Sequence, residues 1–142
     1  MTVVDASAWI SYLVWEDEHH QETRAWLQHR PLAPGRFTAP SLLLIEIAGA
    51  VARRTGKPDT ALRLVARLSQ TSGLHLYAFE DARRDEYVRL AAELRMRAAD
   101  VMYVMLAKNL GVPLVSWDRQ QRERAADVIE VLTPVEALAR GI

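Results

Sequence analysis

The sequence predicts an α/β fold, a three-layer α/β/α sandwich around a central parallel sheet of about five strands, formed by residues 1–142 as a single domain. Two observations predict it. Short runs of strand character alternate along the whole chain with stretches of helical period, which is the pattern of successive βαβ units. Half of the 142 residues are hydrophobic and a quarter are charged, enough for one sizeable core, and no repeat, low-complexity tract or interdomain linker divides the chain.

The elements follow in order. Met1 to Val4 runs as a strand into Asp5, and Ala6-Ser7-Ala8 opens a helix that continues to Trp15, with Trp9, Tyr12 and Leu13 on one face. The stretch Glu16 to His20 leads into a second helix through Leu27, stopped by Pro31 and Pro34-Gly35. Arg36 to Ala39 is a short strand ending at Pro40, and Ser41 is placed to cap a helix from Leu42 to Arg54. Gly56 and Pro58 stop that helix. Asp59 then caps another, whose apolar positions are Leu62, Val65 and Leu68, with Gly73 at its end.

Leu74 to Phe79 is the next strand. Glu80 and Asp81 suit the positive end of the following helix dipole, and Tyr87, Leu90, Ala91 and Leu94 form that helix's apolar stripe. A break near Arg97-Ala98 precedes Asp100, after which Val101 to Leu110 is apolar nearly all round, as in a helix buried on most sides. Gly111 caps it, and Pro113 to Ser116 is a short buried strand. Asp118 opens a polar helix to about Ala126, Val128 to Leu132 is the last strand, and Thr133-Pro134 begins a short terminal helix.

Charge and composition exclude several classes. The net charge is zero, so no global field draws in a polyanion. Cysteine is absent, which excludes a disulfide framework and a thiolate metal site. The N-terminus does not read as a signal peptide, and the longest apolar run, Val101 to Ala107, is far too short to span a bilayer. The expectation is a cytoplasmic protein without a membrane partner.

Chemistry points to four carboxylates. Asp5, Asp100 and Asp118 each have an ordinary reading as turn or helix-capping residues, with Gln121 as the capping-box partner of Asp118. Glu46 fits such a reading poorly, because Leu42, Leu43, Gly49 and Ala50 lie one turn away from it. A carboxylate on that face carries a desolvation penalty unless it is protonated, paired or bound to a metal. An internal salt bridge to Arg53 is the weaker alternative. Parallel strands share one carboxyl edge, and the four acids are expected to meet there.

Like charges held close repel by about 4 kcal/mol per pair at an effective dielectric of about 20. With no lysine or arginine expected between them, the acids call for a cation. Oxygen-only ligands select a hard ion, Mg²⁺ or Mn²⁺. Ser7 and Ser116 are placed to support this shell.

The motifs Val3-Val4-Asp5-Ala6-Ser7, Glu46 in its apolar helix, Ala98-Ala99-Asp100-Val101-Met102-Tyr103 and Leu114-Val115-Ser116-Trp117-Asp118 occur in this order along essentially the whole chain. The ordered set resembles the PIN-domain ribonucleases, specifically the short stand-alone VapC-type toxins of VapBC toxin–antitoxin pairs. The resemblance implies a PIN-like sandwich and a Mg²⁺- or Mn²⁺-dependent endoribonuclease. It implies that Asp5, Glu46, Asp100 and Asp118 hold one or two ions and that a metal-activated water hydrolyses the RNA phosphodiester. It also implies a homodimer and a cognate VapB-type antitoxin bound in an apolar groove near the helices Leu42 to Arg54 and Asp59 to Ser72, in a heterotetramer or larger assembly. The helix after Asp118 departs from the pattern, since Arg119 to Arg124 lacks the second acid that some relatives carry there.

Other candidates carry less. His19-His20 beside Glu16, Asp17 and Glu18 reads as a solvated surface, because adjacent helical residues point about 100° apart. Trp9 and Trp26 read as core, whereas Trp117 is the tryptophan placed to contact RNA. Arg95, Arg97 and Arg119 flank the acids, with exposed surface as the default and phosphate binding as the functional reading. Two alternatives remain at this level: a catalytically silent PIN-like binding module, and a phosphoacceptor signalling domain, which would want a lysine beyond Lys108 that the chain lacks.

Overall fold

The computed structural model describes residues 1–29 and 34–142. The stop expected at Pro31 lies outside the described residues. The elements, in order, are β1 (Thr2–Val4), α1 (Ala6–Leu13), α2 (His20–Gln28), β2 (Phe37–Pro40), α3 (Leu42–Thr55) and α4 (Pro58–Ser69). There follow β3 (Leu74–Tyr77), a 3₁₀ turn (Asp81–Arg83), α5 (Arg84–Leu94), α6 (Ala98–Leu110), β4 (Leu114–Val115), α7 (Arg119–Ala125), β5 (Val131–Leu132) and α8 (Pro134–Ala139).

All strand pairings are parallel and the sheet order is β3-β2-β1-β4-β5. The chain moves outward from β1 through β2 to β3, then crosses back to β4 and moves outward in the other direction to β5. Right-handed crossovers in opposite directions place helices on opposite faces, which gives the expected sandwich. The reversal falls between β1 and β4. Such a switch point opens a crevice at the carboxyl ends of the two strands, and Asp5 and Ser116 follow those ends directly.

The core lies on both faces of β1 and β4, where Val3, Val4, Leu114 and Val115 are fully buried. α6 buries Val101, Tyr103, Val104, Met105, Leu106 and Ala107, in keeping with its largely apolar sequence. Trp9 and Trp26 are core residues as expected, both edge-on to Phe37.

Several local expectations need correction. Asp59 does not cap α4. Pro58 takes the first helical position, Lys57 becomes the flanking residue and Asp59 falls in the first turn. Leu62 is 61% exposed, because Ala61 and Leu68 form the inward face of α4. Ser41 stands at the start of α3 without making a side-chain cap. β5 begins at Val131 rather than Val128, since the amides of Val128 and Ile129 turn back to the Ala125 carbonyl. The terminal helix carries a full capping box between Thr133 and Glu136.

Candidate active site

Asp5 occupies the N-cap of α1, where its Oδ2 accepts from the Ser7 amide at 2.9 Å. Its backbone amide donates to the Val115 carbonyl at 2.9 Å, locking the end of β1 to the end of β4. The Ser116 hydroxyl donates to Asp5 Oδ2 at 3.2 Å and lies 3.3 Å from the Ser7 hydroxyl. The Asp118 amide in turn donates to Ser116 Oγ at 3.0 Å. Ser7 and Ser116 therefore tie two strand ends together beside Asp5 and Asp118.

Asp118 caps α7 by accepting from the Gln121 amide at 3.0 Å. The Gln121 side chain, only 1% exposed, donates from Nε2 to Asp5 Oδ1 at 3.3 Å. One residue thus fixes both Asp5 and Asp118. The sequence marks Gln121 only as a capping partner, because its second contact spans the whole chain.

Glu46 projects from the second turn of α3 and accepts from the Tyr103 hydroxyl at 2.5 Å. No salt bridge joins it to Arg53; the Arg53 guanidinium folds over Gly49 instead, so the small surface there is covered from within the helix. Asp100 does not cap α6. Arg97 is the flanking residue, and Asp100 stands in the first turn.

Asp5, Glu46, Asp100 and Asp118 all line one cavity of about 490 Å³, together with Ser7 and Arg97. The four acids predicted from the sequence are therefore brought together. The expectation that no arginine lies among them is wrong. Arg97 donates to Asp100 from Nε at 2.8 Å and to Asp118 from Nη2 at 3.2 Å. Among the described residues no group of three or more acid or histidine side chains is arranged to hold a metal ion. The Arg97 guanidinium occupies the space between Asp100 and Asp118.

The remaining negative charge is poorly compensated. Burial is the main force pushing the Asp5 carboxyl above the ordinary range; the Ser7 and Gln121 hydrogen bonds oppose it and the Asp100 charge adds to it. Burial likewise raises Glu46; the Tyr103 bond resists and the charges of Asp5 and Asp100 reinforce. Tyr103 is held strongly in its neutral form by burial and by the surrounding acids. An oxygen-only donor set with excess negative charge fits a hard divalent cation. The Arg97 side chain is 72% exposed, so it can leave Asp100 and Asp118 without uncovering any core.

The histidine expectation also changes. His20 Nδ1 lies 3.0 Å from the Ser11 carbonyl, and His19 stacks face to face on Trp117 with ring centroids 3.9 Å apart. Neither ring is simply solvated. Helical geometry alone could not reveal a partner from a distant strand end.

Fold and site together define a doubly wound α/β protein whose switch-point crevice is lined by acids from four separate elements. The family model of the PIN domain matches residues 2–127, and the chain belongs to that family. A search of curated proteins gave no match. Solved structures show the same fold at low identity. The Mycobacterium tuberculosis VapC20, described as a sarcin–ricin loop cleaving toxin, aligns with a TM-score of 0.72 at 19% identity, covering 92% of this chain and 98% of its own. PAE2754 from Pyrobaculum aerophilum aligns at 0.66 and 24% identity, covering 99% and 93%. A toxin–antitoxin complex from Klebsiella pneumoniae aligns at 0.68 and 15% identity, covering 96% and 99%. Among the described residues no helix is long and apolar enough to cross a membrane.

Proposed function

We propose that this PIN-domain chain is a Mg²⁺- or Mn²⁺-dependent endoribonuclease and the VapC-type toxin of a toxin–antitoxin pair. The observation that carries the proposal is the gathering of Asp5, Glu46, Asp100 and Asp118 into one cavity at the switch point of the sheet. The description of VapC20 as a sarcin–ricin loop cleaving toxin and the toxin–antitoxin complex among the structural neighbours support the same reading.

In this reading the four acids hold the cation, and Ser7 and Ser116 support them. When bound, the cation supplies charge neutralisation at phosphorus and a water of lowered pKa. The protein's own groups do the positioning. Ser7, Ser116 and Gln121 fix the two oxygens of Asp5, and Tyr103 fixes Glu46. Arg97, once displaced from Asp100 and Asp118, presents a planar fork of donors to a phosphate at the mouth of the cavity. The cognate VapB-type antitoxin would cover apolar surface that α3 and α4 leave exposed at Ile45 and Leu62, with the toxin as a homodimer in the complex.

One observation favours the silent binding module as a second reading, namely the Arg97 guanidinium seated among the acids. A single assay separates the two. Cleavage of RNA that requires Mg²⁺ or Mn²⁺ and is lost in both Asp5→Asn and Glu46→Gln supports the nuclease. Cleavage that persists in a clean Asp5→Asn preparation, or no cleavage by the wild type with either cation, rejects it.

A further inference from the structure

Aromatic pairs elsewhere among the described residues, such as Trp9 with Phe37 and Phe79 with Tyr87, meet edge to face. His19 and Trp117 are different: their planes lie within 9° of parallel at 3.9 Å. A parallel pair leaves the ring plane away from the contact as a flat surface on which another ring can be laid. Both rings line the acidic cavity.

The pair is held rigidly. Trp117 Nε1 donates to Thr23 Oγ1 at 2.8 Å, and its amide donates to Ser7 Oγ at 3.0 Å. Thr23 is fully buried and lies 2.7 Å from the Ser11 hydroxyl, so the indole is anchored to both α1 and α2. The His19 amide donates to Asp17 Oδ1 at 3.1 Å, which fixes the turn entering α2. One face of the imidazole is covered by Trp117, and 37% of the side chain is left exposed away from that contact. The indole, which the sequence offers for base stacking, is the inner layer; the imidazole is the outer one.

The floor of this cavity is acidic and the chain carries no net charge, so the phosphate backbone of a nucleic acid gains little from long-range attraction. Holding a strand there needs contacts that are not electrostatic. A flat, preorganised aromatic surface at the rim provides one, since every nucleobase has a π-face.

We propose that His19, laid on Trp117, is a stacking seat for an unpaired nucleobase next to the phosphodiester held at the acids. Its consequence is a preference for single-stranded or looped RNA, because a base inside a duplex cannot reach a ring at the cavity wall. This rests on the nuclease reading and specifies how that site takes its substrate.

The test uses the full chain in an Asp5→Asn background, which silences cleavage, and a fluorescently labelled decamer of oligoadenylate read by anisotropy with Mn²⁺ present. His19→Ala is expected to weaken binding roughly ten- to a hundredfold, the range of losing one base–aromatic stack. His19→Phe is expected to bind within about threefold of the parent, since it restores the stack without the imidazole's hydrogen bonding or charge. Mn²⁺ affinity, measured by calorimetry in the otherwise wild-type chain, should be the same with His19→Ala. Equal binding by His19→Ala and its parent overturns the seat. So does equal loss in His19→Ala and His19→Phe, or a fall in Mn²⁺ affinity, either of which gives His19 another role. A folded parent that binds no decamer strikes at the nuclease reading itself.

Discussion

The Tyr103 hydroxyl donates to Glu46 Oε2 at 2.5 Å and joins two helices 57 residues apart in sequence. Tyr103 is fully buried, while Glu46 is partly exposed at the cavity wall. The bond is charge-assisted, and it sets the direction in which the carboxylate points. Tyr103→Phe keeps the ring and removes only the donor, so it should lower stability by about 1–2 kcal/mol in the wild type. Glu46→Gln keeps an acceptor for Tyr103 and removes a like charge, so it should leave stability unchanged or raised in EDTA. The Tyr103→Phe penalty should shrink in the Glu46→Gln background, because the bond to a neutral amide is weaker. Urea melts of the four proteins in a double-mutant cycle read the coupling directly. A marked destabilisation by Glu46→Gln alone would mean that the charge itself supports the fold.

Arg97 sits between Asp100 and Asp118 as an internal counter-ion. Its side chain is largely exposed, so solvent screening limits the worth of this triad to at most about 1 kcal/mol. Arg97→Gln should therefore lower the melting temperature in EDTA only slightly. It should tighten Mn²⁺ binding, since the cation no longer competes with a guanidinium for the same oxygens. Calorimetric titration of the variant against the wild type checks this, and weaker binding in Arg97→Gln would show that the arginine arranges the acids instead of blocking them.

The convergence of the acids was legible because it depends on backbone topology. Asp5 and Ser116 follow parallel strands, whose carboxyl ends share an edge, and α3 and α6 start near that edge. What depends on side-chain reach across the fold was not legible. Tyr103 reads as one more apolar position of a buried helix, and Gln121 as a local cap. Arg97 reads as surface, which it largely is; its i, i+3 spacing to Asp100 is visible in the sequence, whereas its reach to Asp118 is not. His19 reads as solvated surface because helical geometry speaks only to its sequence neighbours and not to Trp117 arriving from the end of β4. Misplaced element edges have the same origin. Leu62 fits the helical period but lies outside the face that Ala61 and Leu68 bury.

Gln121 carries an unused capacity that bears on Asp5. Its Nε2 donates to Asp5 Oδ1, while its Oε1 is buried without a hydrogen-bond partner. In Asp5→Asn the new amide can donate to Gln121 Oε1 once the Gln121 side chain turns over, which keeps one hydrogen bond between the pair and exchanges a buried unpaired Oε1 for a buried unpaired Nε2, while loss of the buried charge relieves its desolvation. The substitution should therefore fold and melt in EDTA at or above the wild-type temperature while losing cleavage. Gln121→Leu has the opposite character. It removes a donor from Asp5 without touching the cavity's other acids, and should weaken Mn²⁺ binding roughly 10- to 100-fold, as loss of a supporting partner does. Calorimetry on Gln121→Leu and a thermal melt of Asp5→Asn check the pair of expectations, and a poorly folded Asp5→Asn would refute the turnover.

Burial pushes the carboxyls of Asp5 and Glu46 upward, so the folded protein retains protons there that the unfolded chain releases. Stability from these two groups is complete below the ordinary carboxylate range and is lost as pH rises through their raised folded values. Other carboxyls act oppositely: hydrogen bonds from Arg83 hold Glu86 low and those from Thr133 hold Glu136 low, and they contribute stability that is lost on acidification. The useful quantity is therefore the difference between the wild type and a variant lacking one buried acid. In EDTA the melting temperature of Glu46→Gln minus that of the wild type should grow from about pH 4 to about pH 8, with Asp5→Asn behaving alike. Mn²⁺ should cancel or reverse this difference at the upper end, because a cation stabilises the ionised wild-type acids and finds fewer charges in either variant. A difference that stays flat across the range in EDTA would mean that both acids are already compensated, and the case for a cation between them would fail on that measurement.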